Sequence, residues 1–478
     1  MQALEEIVAT TPPQAELPAP HGRVLFVTHS FPPSMEIGAN SCSQVSRHLP
    51  LYGWEPIVLT IQDKYIAEEY QPKTSSNDHT KFAKAIVKTR VLPHPFGLYR
   101  WLKRLVGGSE SDESEESQSV EVAATGEPTP PEGKDKLRST LVSLLTIPDM
   151  HTGWLIPGVL GGLKAIKENK IQIIFSSAPC FTGHLVGYAL ARLTGLPWVA
   201  HFRDPWLTAH QPGWFLPKAA ISANRRLEQM VIKRADRVVS VTEGHSIKLR
   251  EAYPQYPTKF TSIPNGFDSE EWKEIDLERD NKSRPEKTKF TILYAGHLYA
   301  QRNPMPMFKA LQSLLEAGEI EREKLQIDLL GWCDDSVGRG VPGMIADTNL
   351  EGCVNMVGPR SRQETLRRMT EADLLLLLAE NLTIQIPGKT YEYLKAGRPI
   401  LAFTSEGSLS HLIRTTGCGW SLDPSDHDGI RAALHECYSQ WKLGQVSHVC
   451  DQDTVARFDR RLTTGQIGKL FDELITTA

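Results

Sequence analysis

Lys389 and Glu392 stand three apart in the segment QIPGKTYEYLKAGRPIL, residues 385–401, and on a helix they would share one face. Pro387-Gly388 opens the segment, so the amides of Gly388, Lys389 and Thr390 would lie at a helix N-terminus. Unpaired donors and aligned peptide dipoles there favour an anion such as a phosphate. Glu392 would sit one turn deeper, with a carboxylate able to hold hydroxyl groups. Ala396-Gly397 then closes the helix, and Arg398-Pro399 leads into the apolar strand PILAF. Taken alone, the pattern also fits a plain turn before an amphipathic helix, so its meaning depends on what the rest of the chain supplies.

The elements that would position these residues repeat in a β-α-β order. From His21, GRVLFVTHSFPPS reads as a buried parallel strand running into a loop, and a helix and a second strand, PIVLTI, follow. Further strands fit at IQIIFSSA, PWVAHFRD, DRVVSVTE and FTSIPNG, giving one parallel-sheet domain over residues 21–285, after a flexible tail over 1–20. The acidic, Ser- and Pro-rich run at 108–134 cannot bury enough apolar surface to order and reads as a surface insertion. A second series, FTILYAG, KLQIDLLGW, VNMVG, ADLLLLLA and PILAF, gives a second domain over 286–450. An amphipathic helix over 451–478 ends the chain. Two open parallel sheets place a cleft between the C-terminal ends of their strands, where ligands bind in α/β folds.

Composition bounds the function. With 478 residues, 40% hydrophobic and 23% charged, the chain has the make-up of an ordinary globular protein of two or three domains. A net charge of -4 argues against a nucleic-acid partner. The seven cysteines lack CxxC or Cys/His spacing and suit a reducing compartment without a structural metal. The N-terminus is acidic and Pro-rich rather than a signal peptide, and no stretch reaches the roughly twenty apolar residues of a spanning helix. The expected location is the cytoplasm, with contact at a membrane face allowed. The loop after the first strand, FPPSMEIGANS, carries one glycine rather than GxGxxG, which disfavours a dehydrogenase.

The motifs, in this order, resemble the retaining family 4 glycosyltransferases of the GT-B fold, and PWVAHFRDPW with the Pro...His-Leu segment before it is similar to a subgroup acting in bacterial polysaccharide synthesis. The resemblance covers the chain from His21 onward, apart from the insertion. It implies a nucleotide-diphosphate sugar as donor co-substrate, no other cofactor, no metal, and a glycan, lipid-linked or small-molecule acceptor. Glu392 would hold the donor ribose, and Lys389 with the amides of Gly388 and Thr390 would hold the diphosphate. In YAGHLYAQRNP the family commonly has Arg and Lys where this chain has His297 and Arg302; Arg302 keeps a fixed cation suited to phosphate, unless it pairs with a surface carboxylate. Gly38 would let a ligand approach the backbone or would be a simple turn residue. His184, with Thr182, would reach the cleft edge or act as a packing residue, and Asp204 would be the acid of the first domain that reaches the cleft or would make a structural contact with Arg203 or the backbone. Trp206 and Trp214 fit a stacking surface or the core. The family's paired-glutamate motif is incomplete: eight residues before Glu392 stands Ile384, and the nearest acid is Glu380. Two alternatives stay open: a nucleotide-sugar 2-epimerase of the same fold, and a catalytically weak donor-binding subunit of a polysaccharide assembly.

Overall fold

The computed structural model describes residues 18–71, 83–94, 143–206, 217–281, 287–298, 302–336 and 339–476. The insertion expected at 108–134, most of the N-terminal tail, and Trp214 lie outside them.

The continuous apolar runs become strands because both of their faces are covered. In β1 (Gly22–Val27), Leu25 and Val27 pack with helices Leu155–Asn169 and Thr182–Thr194, while Val24 and Phe26 face helices Ile37–His48 and Arg460–Thr476. Around it lie β2 (Trp54–Ile61), β3 (Ala85–Thr89), β4 (Ile173–Ala178), β5 (Trp198–Phe202), β6 (Arg237–Ser240) and β7 (Phe260–Ser262). They form one parallel sheet in the order β3-β2-β1-β4-β5-β6-β7.

The second domain repeats the plan. Its strands are β8 (Phe290–Ala295), β9 (Leu325–Leu330), a small hairpin β10 (Asp335–Ser336) and β11 (Arg339–Gly340), then β12 (Val354–Met356), β13 (Leu374–Ala379), β14 (Ile400–Thr404) and β15 (Gly419–Leu422). The parallel sheet runs β12-β9-β8-β13-β14-β15. Both sheets therefore reverse strand order once, at β1/β4 and at β8/β13, and the crevice beyond such a reversal is where an open α/β sheet receives a ligand.

Besides the short hairpin β10-β11, two strands of the main sheets were not expected from the sequence, β3 and β15. Both are sheet edges with every residue only half-buried, so neither carries an apolar run. The terminal helix is also divided, into Gln452–Ala456 and Arg460–Thr476, where Asp459 bridges to Phe267. Its second part lies on the first domain: the Phe471 ring meets Trp54 at 5.2 Å and Phe175 at 5.6 Å, and Trp54 Nε1 donates to Asp472 Oδ1 at 3.0 Å. Cys418 and Cys450 form a disulfide, Cα to Cα 4.4 Å, which the reading of the cysteines had not anticipated.

Candidate functional site

The crevice at β8/β13 gathers the polar residues of the second domain. Strand β8 ends at Gly296, whose φ of 151° belongs to glycine, and a Cβ there would come 2.6 Å from Lys389 Nζ. The glycine thus makes room for the lysine, which arrives from the first position of helix Lys389–Ala396. Lys389 Nζ donates to Ala295 O at 3.0 Å and lies 4.0 Å from the centre of the Tyr294 ring. Burial, and next the Arg302 charge, push its pKa well below the usual lysine value. Arg302 itself donates to His297 O at 3.0 Å, an acceptor shared with the Tyr294 hydroxyl at 3.0 Å. Two basic side chains therefore meet around one glycine turn at the sheet's edge.

His297 does not add a third charge. Burial, then Arg302, lower the pKa of its imidazole, so it is neutral near pH 7. At the helix start, Thr390 corrects the sequence expectation: its amide donates to Pro387 O at 2.9 Å and its side chain is buried, leaving the amides of Gly388 and Lys389 as the pair without a backbone acceptor among the described residues. Glu392 is paired rather than open. Its Oε1 accepts from Arg362 Nη2 at 2.6 Å, and the same nitrogen reaches Glu271 Oε2 at 2.8 Å. Arg362 and Glu271 escaped the sequence reading because they come from helices Arg362–Glu371 and Ser269–Asn281, with no motif to tie them to Glu392.

The position of the absent first glutamate has another use. Ile384 O accepts from Thr242 Oγ1 of the first domain at 2.5 Å, and its Cα lies against Gly244. The next residue, Gln385, donates to Asp204 Oδ1 at 3.0 Å. Asp204 thus reaches the cleft, as a contact between the domains. The nearest acid, Glu380, follows β13 at the sheet reversal. One of its oxygens is buried without a hydrogen-bond partner, and burial, with Asp423 adding repulsion, pushes its pKa up to about 7.

Gly38 and His184 both serve packing within the first domain. The space above Gly38 holds the Arg203 guanidinium, 2.9 Å from where a Cβ would stand, and Arg203 Nη2 donates to Pro179 O at 2.7 Å. Glycine is required there by a side chain of the protein itself. His184 is fully buried, not at the cleft edge: its Nδ1 shares a hydrogen bond with Ser176 Oγ at 2.8 Å, its ring lies 4.5 Å from Phe202, and burial lowers its pKa to about 3. Trp206 is core, stacked on Phe181 at 4.6 Å. Beyond these, the structure brings together His29, His151 and Cys180, which nothing in their spacing had suggested.

Comparison with known proteins agrees with this architecture. Residues 116–271 match Glycosyltransferase Family 4, and residues 276–446 match Glycosyl transferases group 1. A D-inositol 3-phosphate glycosyltransferase of Kineococcus radiotolerans is 26% identical over 161 residues, 32% of this chain and 37% of that relative. The match thus spans little more than a third of the relative's length. A sucrose-phosphate synthase from Thermosynechococcus elongatus superposes with a TM-score of 0.61 at 14% identity, covering 96% of this chain and 100% of that one. Anabaena HepE, solved with UDP and glucose, gives 0.58 at 15% identity over 95% and 100%. The chain belongs to the GT-B glycosyltransferases, with a Glycosyltransferase Family 4 domain followed by a Glycosyl transferases group 1 domain.

Proposed function

We propose that the protein transfers a sugar, with retention, from a nucleotide-diphosphate donor to an acceptor hydroxyl in polysaccharide or glycoconjugate synthesis. The observation that carries this reading is the convergence of the Lys389 and Arg302 side chains on the turn Gly296-His297, at the switch point of the second sheet, with Lys389 opening a helix. The diphosphate lies in that turn and the ribose reaches Glu392, which is polarised by Arg362. HepE, of similar fold, was solved with UDP and glucose, which supports a donor of this class.

Catalysis on this arrangement is electrostatic. As the bond to the sugar loosens, charge grows on the leaving diphosphate, and fixed cations and amide dipoles stabilise it more than they stabilise the bound donor. Lys389, held partly dehydrated and short of its ordinary basicity, gains most from an arriving dianion, which restores its charge. The acceptor enters from the first-domain side. Among the described residues no helix is long and apolar enough to cross a membrane; a lipid-linked acceptor would be met at a membrane face.

A second reading rests on Ile384, whose carbonyl serves the domain contact where a carboxylate would touch the sugar. In that reading the protein binds donor within an assembly and turns it over weakly. A thermal-shift panel of UDP-, GDP-, ADP- and dTDP-sugars, followed by a turnover assay on the best binder, separates the two, since a ligand bound to the folded state raises its stability. Turnover with the donor's anomeric configuration kept in the product supports the transferase, binding without turnover supports the subunit, and no binding removes both.

A further inference from the structure

The reversal point of the first sheet carries a cluster that donor binding leaves unused. His29 follows β1 and Cys180 follows β4, the two strands that flank the reversal, and His151 joins them from the turn before helix Leu155–Asn169. One metal-binding atom from each lies within 4.8 Å of the other two. Each residue is held in place from outside the cluster. His29 is 5% exposed, with Nδ1 buried and without a hydrogen-bond partner, and its carbonyl is fixed by Thr60 Oγ1 at 2.8 Å. Asp149 accepts from the His151 amide at 2.9 Å and from the Thr182 amide and hydroxyl at 2.9 and 2.7 Å. One carboxylate thereby ties the His151 turn to the helix that begins two residues after Cys180. Trp154 closes the back, its ring 5.7 Å from that of His29, while the His29 and His151 rings lie 4.0 Å apart.

We propose that His29, His151 and Cys180 bind one divalent cation of the zinc type. Two imidazoles and a thiolate are a donor set that zinc takes in tetrahedral geometry, with bonds of about 2.0–2.3 Å. Such bonds set ligands roughly 3.5 Å apart, inside the 4.8 Å span within which the three atoms already lie. A buried imidazole nitrogen without a partner is otherwise unfavourable, and a metal bond removes that deficit. Three protein ligands leave a fourth position for water or for an oxygen of a bound molecule. The site stands in the first domain, on the acceptor side of the proposed reaction and apart from Lys389 and Arg302.

The test uses the tag-free full chain, stripped with chelator and titrated with Zn²⁺ against a chromophoric competitor, then with Co²⁺ as a spectroscopic probe. The expected result is one equivalent of zinc, a rise in melting temperature on adding it, and a cobalt spectrum with a thiolate charge-transfer band and intense tetrahedral d–d bands. Cys180→Ser should remove the thiolate band, and His151→Gln should weaken binding at least tenfold. Circular dichroism of both variants checks folding. Both sites are half-buried, and should one variant fail to fold, the other still decides. Absence of stoichiometric zinc in the parent, or a cobalt spectrum without a thiolate band, would overturn the proposal, whatever the enzyme's activity.

Discussion

Arg302 stands beside the glycine turn with a charge that does not titrate near pH 7, which predicts how the reaction responds to its loss. Beside the glycine turn the Arg302 guanidinium donates through Nη1 to His297 O, and its planar fork matches the geometry of a phosphate. Arg302→Ala should lower kcat by about 10²-fold with a smaller change in KM, in line with loss of one preorganised donor; Arg302→Lys should recover part, because charge returns without the bidentate fork. Steady-state kinetics on the three proteins check this, and unchanged kcat in the Ala variant would remove Arg302 from the reaction. Glu380 predicts a stability effect instead. With its pKa raised to about 7, the folded protein holds a proton that the unfolded chain releases near pH 4, so stability falls as pH rises through that window. Glu380→Gln should gain about 1 kcal/mol at pH 8, allowing for partial exposure, and nothing near pH 4; urea melts at both values decide. At this scale Lys389, Glu392 and Arg302 were legible because they lie in or beside short motifs with local geometry. Arg362, Glu271 and Arg203 were not, since their partners come from distant segments and only the fold brings them together. His184 was misplaced for a related reason: a histidine in the first turn of a helix reads as reachable until the sheet beside it is known to cover it.

Elements were readable in proportion to their burial. The central strands are apolar along their whole length because both faces are covered, and β13, LLLLLA, is buried at every residue. The half-buried edges β3 and β15 gave no such signal. Helix Arg460–Thr476 shows how a late element completes an early one, since Phe471, with no exposure, packs between Trp54 and Phe175 against the back of the first sheet. Phe471→Ala should destabilise the first domain by about 3–5 kcal/mol, the range for deleting a buried aromatic ring. Chemical denaturation followed by tryptophan fluorescence measures it. A loss under 1 kcal/mol would mean that the helix is not part of that core.

For the molecule as a whole, two sheets with the same reversal in strand order put a cleft between their switch points, and the seam between them is polar: Thr242 to Ile384 and Asp204 to Gln385. The two-domain plan could be read from the alternation of apolar runs and helices. The cluster of His29, His151 and Cys180 could not, because its members belong to separate β-α units that meet only at the reversal. Acid should loosen the whole. His48 and His245 are held to about 4 and His184 to about 3 by burial, so below pH 6.5 the unfolded chain takes up protons that the folded one refuses. The contribution of these histidines should be level above pH 6.5 and fall by about 1–2 kcal/mol per buried ring by pH 5, as melts of the Glu380→Gln protein across that range would show; a flat profile would mean these rings are accessible. The central claim is the donor site at Gly296, and isothermal titration of UDP, GDP, ADP and dTDP into the parent, Arg302→Ala and Glu392→Gln tests it most directly. The account predicts one equivalent of a preferred nucleoside diphosphate, with binding weakened by roughly 1–3 kcal/mol in each variant through loss of a charged hydrogen-bond partner. Binding at parental strength in both variants, or no binding of any of the four to the parent, would contradict it.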